Sequence, residues 1–134
     1  MKNVSTGALL GALAGMMIAL PAAGADIPKG NHYLCYPVKD VSFKARDVVL
    51  TDQFGKWKAT LVRPVQLCTP TAKMVGKTTY PIVDSKLHMV CYEVKMESKK
   101  TPPVQTADQF GTLKFQAYPA NIVCLPAGKT VLKE

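Results

Sequence analysis

The sequence carries one motif set twice. His32-Tyr33-Leu34-Cys35-Tyr36-Pro37-Val38-Lys39 returns as His88-Met89-Val90-Cys91-Tyr92-Glu93-Val94-Lys95. Asp52-Gln53-Phe54-Gly55 returns as Asp108-Gln109-Phe110-Gly111, and Leu67-Cys68-Thr69-Pro70 with Lys73 returns as Val123-Cys124-Leu125-Pro126 with Lys129. All three blocks share one offset, 56 residues, without net insertion or deletion. Chance does not place three blocks in one register, so a unit of about 45 residues has been duplicated. The copies run from about residue 31 to 74 and from about 87 to 130, and Met74 to Lys86, with Gly76 and Pro81, connects them.

Each copy reads as β. Leu34, Tyr36 and Val38 alternate with more polar neighbours, as do Val90, Tyr92 and Val94. Val48-Val49-Leu50-Thr51 is a β-branched run, and Trp57, Ala59 and Leu61 alternate with Lys58 and Thr60. Leu113, Phe115 and Ala117 repeat that pattern in the second copy. After residue 26 no segment keeps a helical apolar period between caps. Each Asp-Gln-Phe-Gly block falls between the second and third strands of its copy. An Asp there can accept a hydrogen bond from the backbone two residues on, and the Gly supplies the backbone freedom a hairpin turn needs. The predicted motif is therefore a turn at Asp52, Gln53, Phe54 and Gly55, and again at Asp108, Gln109, Phe110 and Gly111.

A unit this short buries too little surface to stand alone. The two copies are expected to pack about a pseudo-twofold axis into one small all-β sandwich or barrel, side by side or interlocked, stapled by disulfides. Four cysteines in a chain of 134 residues supply the staples. The repeat favours Cys35–Cys68 with Cys91–Cys124, because each pair recurs at a separation of 33. Cys35–Cys124 with Cys68–Cys91 also obeys a twofold, and Cys35–Cys91 with Cys68–Cys124 would bring the bonds near the axis. Closing such a loop contributes about 3–4 kcal/mol per bond in the chain-entropy model.

A metal site is the competing use of the same residues. His32-x-x-Cys35 and His88-x-x-Cys91 are paired zinc or copper ligand types, with Cys68 and Cys124 able to complete a soft donor set. On strands, however, residues three apart point to opposite faces, so one ion could not be shared without a bulge. The expectation is no metal and no cofactor.

The first 25 residues read as an export signal: Lys2, an apolar stretch from Ala8 to Leu20, the helix breaker Pro21, and small residues at Ala23-Gly24-Ala25. Cleavage there would leave residues 26–134 as a single β domain, without stable membrane insertion, in the periplasm, on the cell surface or outside the cell. That remainder carries 16 basic and 9 acidic side chains. Such a balance favours anionic partners, an acidic polysaccharide or an acidic protein. The lysines are scattered, and no basic stripe interleaved with aromatics appears, so nucleic acid is not an expected partner.

Catalysis finds little support. Only His32 and His88 follow the signal, no Gly-x-Ser-x-Gly elbow is present, and disulfides would consume every thiol. Asp52 and Asp108 could meet at a pseudo-twofold axis and share a proton in a small hydrolase, but Gln follows each where aspartic proteases place Thr or Ser and then Gly. Aromatics without a counterpart in the other copy are better markers of a ligand surface. Trp57, opposite Leu113 in the repeat, is assigned to the core. Tyr118, with Lys114 on the same alternation, is the candidate surface for an acidic sugar or peptide.

The tandem His-x-x-Cys-Tyr-x-x-Lys, Thr-Asp-Gln-Phe-Gly and Leu-Cys-x-Pro-x-x-Lys blocks resemble an uncharacterised family of exported bacterial domains. The resemblance spans about residues 31 to 130. Ala107 and Val123 depart from it in the second copy, where the first has Thr51 and Leu67. It implies secretion and a repeated β unit, and it implies no activity. The expected role is a non-catalytic exported binding or structural module. A periplasmic zinc- or copper-binding protein and the small hydrolase are the alternatives.

Overall fold

A computed structural model describes residues 27–134. The segment expected to be an export signal lies outside the described residues. Nine strands follow in order: β1 (His32–Pro37), β2 (Arg46–Asp52), β3 (Gly55–Thr71), β4 (Lys73–Val75), β5 (Thr78–Tyr80), β6 (His88–Met96), β7 (Val104–Asp108), β8 (Gly111–Phe115) and β9 (Ile122–Ala127). All pairings are antiparallel. The main sheet runs β1-β3-β6-β9, with β2 added to β3 alongside β1. β4–β5 and β7–β8 are separate two-stranded sheets. The fold is all-β and sandwich-like, and its sheets do not close into a barrel.

The offset of 56 survives in three dimensions. Cys35 lies opposite Cys68 in β1–β3, and Cys91 opposite Cys124 in β6–β9. Asp52 faces Gly55 in β2–β3, and Asp108 faces Gly111 in β7–β8. Even the bond beyond the end of β1, Val38 N–H to the Val65 carbonyl, has its double in Val94 N–H to the Asn121 carbonyl. The same side chains in the same spacing therefore build the same local pairings twice.

The copies meet side by side, at one seam, where β3 pairs β6 from Ala59↔Met96 to Cys68↔Met89. This corrects the expected pseudo-twofold. A twofold would bring equivalent strands together, but β6 is the counterpart of β1, not of β3. The seam is a heterologous, head-to-tail contact. Arg63 Nε donates to Glu93 Oε2 across it at 2.9 Å. Two bulges in β3, between Leu61 and Arg63 and between Pro64 and Gln66, let this strand of 17 residues bend while it stays paired.

The core lies at the seam. Ala59, Leu61 and Val94 are buried there, with Val48, Leu50, Tyr92, Met96 and Val123 packed around them. Phe43, from the loop between β1 and β2, lies against Tyr92 with ring centroids 5.2 Å apart. So small a core leaves much of the stability to the staples. Both disulfides are the repeat-favoured ones, Cys35–Cys68 and Cys91–Cys124, and no cysteine is free. Two such bonds mark a chain that folds in an oxidising compartment outside the cytoplasm.

The connector is more ordered than a loop. β4 and β5 form a hairpin about Gly76, whose φ of 59° suits the first position of a two-residue turn. Asn31 then pins the following segment: its Oδ1 accepts from Val83 N–H (2.8 Å) and Asp84 N–H (2.9 Å), and its Nδ2 donates to the Asp84 carbonyl (2.7 Å).

Candidate binding groove

The hairpin turns position the first wall of a groove. Asp52 Oδ1 accepts hydrogen bonds from Phe54 N–H (2.8 Å) and Gly55 N–H (3.1 Å), and Asp108 Oδ1 accepts from Phe110 N–H (2.8 Å). In the first copy this turn sets Phe54 beside Trp57, whose indole packs so closely on Gly55 that a Cβ there would lie 2.8 Å from the ring. Phe54, Trp57 and Leu50 form one wall of an apolar groove of about 430 Å³. Val94 and Met96 of β6 also line it, together with Lys99, Tyr118 and Ile122 of the second copy. That volume falls in the range of small-molecule sites.

The groove exists because the third strand of the second copy is interrupted. β8 ends at Phe115 and β9 begins at Ile122. Between them the chain is held from below: Ala117 N–H donates to Thr101 Oγ1 (2.9 Å) and Ala120 N–H to Ser98 Oγ (2.8 Å). Tyr118 therefore stands on an exposed, tethered loop, 74% exposed, with the Lys100 ammonium 4.7 Å from its ring centroid. Lys99 lines the groove at the position where the first copy has Phe43. The result is an apolar, aromatic slot lined by one cationic side chain, Lys99, with a second, Lys100, held against the Tyr118 ring.

Other predicted residues are dispersed. Trp57, assigned to the core from sequence, is half-buried and forms groove wall. Lys114 lies on β8, outside the groove-lining set. Phe110 sits away from the groove, with the Lys73 ammonium 5.1 Å from its ring centroid and 5.4 Å from that of Tyr80. Gln53 is exposed in its turn, while Gln109 is half-buried and its Nε2 is enclosed without a protein partner. Asp52 lines the groove but is committed to its own turn, as Asp108 is to its own.

The paired histidines do not face the cysteines. His88 is buried, its Nδ1 3.1 Å from the Lys86 carbonyl oxygen, and His32 lies edge-on to Tyr80 with centroids 5.7 Å apart. The sulfurs form a different array. Disulfides cross β1–β3 and β6–β9, and Cys68 Sγ lies 3.6 Å from Cys91 Sγ across the seam.

The model of a repeat family of unknown function, DUF7450, matches residues 18–126, a span that takes in the first copy and all but the end of the second. The chain is a member of DUF7450. No curated protein and no solved structure matches it. Sequence reasoning missed two contributors to the groove's surroundings, Lys99 and Lys100, and, away from the groove, the connector clamp Asn31. The signal for Lys99 was present, because its repeat counterpart is the apolar Phe43.

Proposed function

We propose that the protein is an exported, non-catalytic binding module that takes an acidic saccharide in the groove between its copies. The observation that carries this reading is one juxtaposition: Phe54, Trp57 and Tyr118 around an apolar slot, with Lys99 lining it and Lys100 held against the Tyr118 ring. Flat aromatic faces suit the C–H faces of sugar rings, and ammonium groups suit carboxylates. The net charge of +8 for the whole chain adds long-range attraction for such a ligand. Three of the side chains with oxygens around the slot already serve the fold: Asp52 its turn, Ser98 and Thr101 the loop that carries Tyr118. That supports binding rather than catalysis. The apolar segment before residue 26 supports export to the periplasm, the cell surface or the medium.

Trp57 is the only tryptophan, so its fluorescence reports on the groove alone. Titration with a uronic-acid oligosaccharide should shift the emission saturably, weaken with added salt, and be reduced about tenfold or more in affinity by Tyr118→Ala with Lys99→Ala. A neutral oligosaccharide of the same length binding equally well would overturn the acidic part of the reading. A response to an acidic peptide and to no saccharide would move the function to an acidic protein partner.

A further inference from the structure

The four sulfurs lie across the sheet in the order of their strands: Cys35 on β1, Cys68 on β3, Cys91 on β6 and Cys124 on β9. The inner two are almost wholly buried, at 2% and 1% exposure, whereas the residues Cys35 and Cys124 are exposed. The inner sulfurs are in van der Waals contact at 3.6 Å, although they belong to different disulfides. Disulfide exchange needs a thiolate that reaches a disulfide sulfur from the side away from its leaving partner. With the strands in this order, Cys68 approaches Cys91 from the side away from Cys124, and Cys91 approaches Cys68 from the side away from Cys35.

We propose that the four cysteines form a redox site that takes two electrons from a dithiol reductant and moves its cross-link from within the copies to the seam between them. A reductant thiolate attacks the accessible Cys35 Sγ. The new bond joins reductant to Cys35, the Cys35–Cys68 bond breaks, and its electron pair leaves on Cys68 as thiolate. That thiolate, buried and already in contact, attacks Cys91 Sγ. A Cys68–Cys91 bond forms, the Cys91–Cys124 bond breaks, and Cys124 leaves as thiolate and takes a proton from water. The second thiol of the reductant gives its proton to solvent and closes the reductant's own disulfide. This releases Cys35, which is protonated in turn. The dithiol has lost two electrons, and the protein has gained two and exchanged two disulfides for one. Entry at Cys124 gives the same product by the mirror sequence. The product frees both edge strands, β1 and β9, from their staples and locks β3 to β6.

The test is stepwise reduction of the oxidised mature chain with dithiothreitol, quenched by alkylation and mapped without further reduction. Trypsin leaves the four cysteines on four separate peptides, so every pairing is read directly. The expected two-electron product has Cys35 and Cys124 alkylated and the Cys68 and Cys91 peptides joined. Molecules alkylated only at Cys35 with Cys68, or at Cys91 with Cys124, would overturn the proposal. So would passage to four thiols with no two-electron stage. A Cys35→Ser variant gives a second reading that needs no reductant. Its unpaired Cys68 should displace Cys124, leaving a Cys68–Cys91 bond and an alkylatable Cys124. An intact Cys91–Cys124 bond in that folded variant would sink the idea.

Discussion

The two copies share their motifs, their turns and their staple positions, yet their strands differ in length. The first strand spans 6 residues in copy one and 9 in copy two. The third strand is continuous over 17 residues in copy one, whereas its counterpart is split into strands of 5 and 6. The longer version in each case is the one at the seam. β3 and β6 have a partner along both edges, and β1 and β9 along one. Backbone donors and acceptors that find a second partner keep the chain extended, and those without one are free to turn away. The groove is the consequence: where no strand covers the outer edge, residues 116–121 leave the sheet and carry Tyr118 with them. Duplication supplied two copies of one unit, and position within the pair gave one a continuous third strand and the other the loop that carries Tyr118.

The largest expected effect comes from cutting one staple at a time. Cys35→Ala with Cys68→Ala, and Cys91→Ala with Cys124→Ala, should each cost about 3–4 kcal/mol in urea unfolding. They should differ in binding. Loss of the second staple frees β9, whose Ile122 and Val123 line the groove, and should abolish the fluorescence response to ligand. Loss of the first should leave that response intact under conditions where the variant stays folded. Equal loss of binding in both would mean that the copies do not divide their roles.

The parts of this that sequence reveals are those that repeat. Alternation in Leu34-Tyr36-Val38 and Trp57-Ala59-Leu61 announces strands, and the separation of 33 between cysteines announces the staples. Asp-Gln-Phe-Gly announces its turn, because the Asp side chain bonds within three residues of itself. What sequence hides depends on contacts between copies. Nothing local to β3 says that β6, and not β9, is its second partner. Hence neither the head-to-tail seam nor the broken strand could be read in advance. Trp57 shows the same limit. Its alternation with Ala59 and Leu61 puts it on the core face, but the core ends before it, and it becomes groove wall. Lys99 and Lys100 look like a solvated pair until the loop carrying Tyr118 is seen beside them.

The next effect in size tests where the core sits. Leu61→Ala should cost about 2–3 kcal/mol, the lower part of the range for such truncations, since a core this small can partly collapse around the gap. The repeat counterpart of Leu61 is Ala117, already truncated, and Ala117→Gly should cost about 1 kcal/mol or less. Comparable losses at the two sites would place the core across both copies rather than at the seam. A smaller pair of changes separates the two turns. Gly55→Ala puts a Cβ against the Trp57 ring, so it should displace the indole and shift its emission at a cost of about 1 kcal/mol. Gly111→Ala meets no neighbour, though its φ of 129° disfavours Ala, and it should leave the emission unchanged at a similar cost.

The last and weakest effect concerns what keeps the two outer edges from repeating the seam with a second molecule. A head-to-tail seam is open-ended: the outer edge of β9 is the counterpart of the edge of β3 that β6 occupies, and the outer edge of β1 is the counterpart of the edge of β6 that β3 occupies. A second molecule could repeat the contact indefinitely. The two residues that join the internal seam as an ion pair are Arg63 and Glu93. Their counterparts are Pro37, on the outer edge of β1, and Pro119, in the loop that leaves the sheet before β9. Val38 N–H points inward to Val65, so by alternation the nitrogen of Pro37 faces outward, where it offers no donor. The edge of β1 thus carries a proline in place of the seam's charged residue, a known defence of exposed edges, and at the other end the proline stands where the chain has left the sheet. Pro37→Glu combined with Pro119→Arg restores the charge pattern and adds a donor to the outer edge of β1. The double variant should keep its fold and show concentration-dependent association by sedimentation, while each single variant and the parent remain monomeric. A parent that already associates, or a double variant that never does, would mean that these prolines do not end the array. In that case any barrier to association would have to come from the divergence of the two edges as a whole.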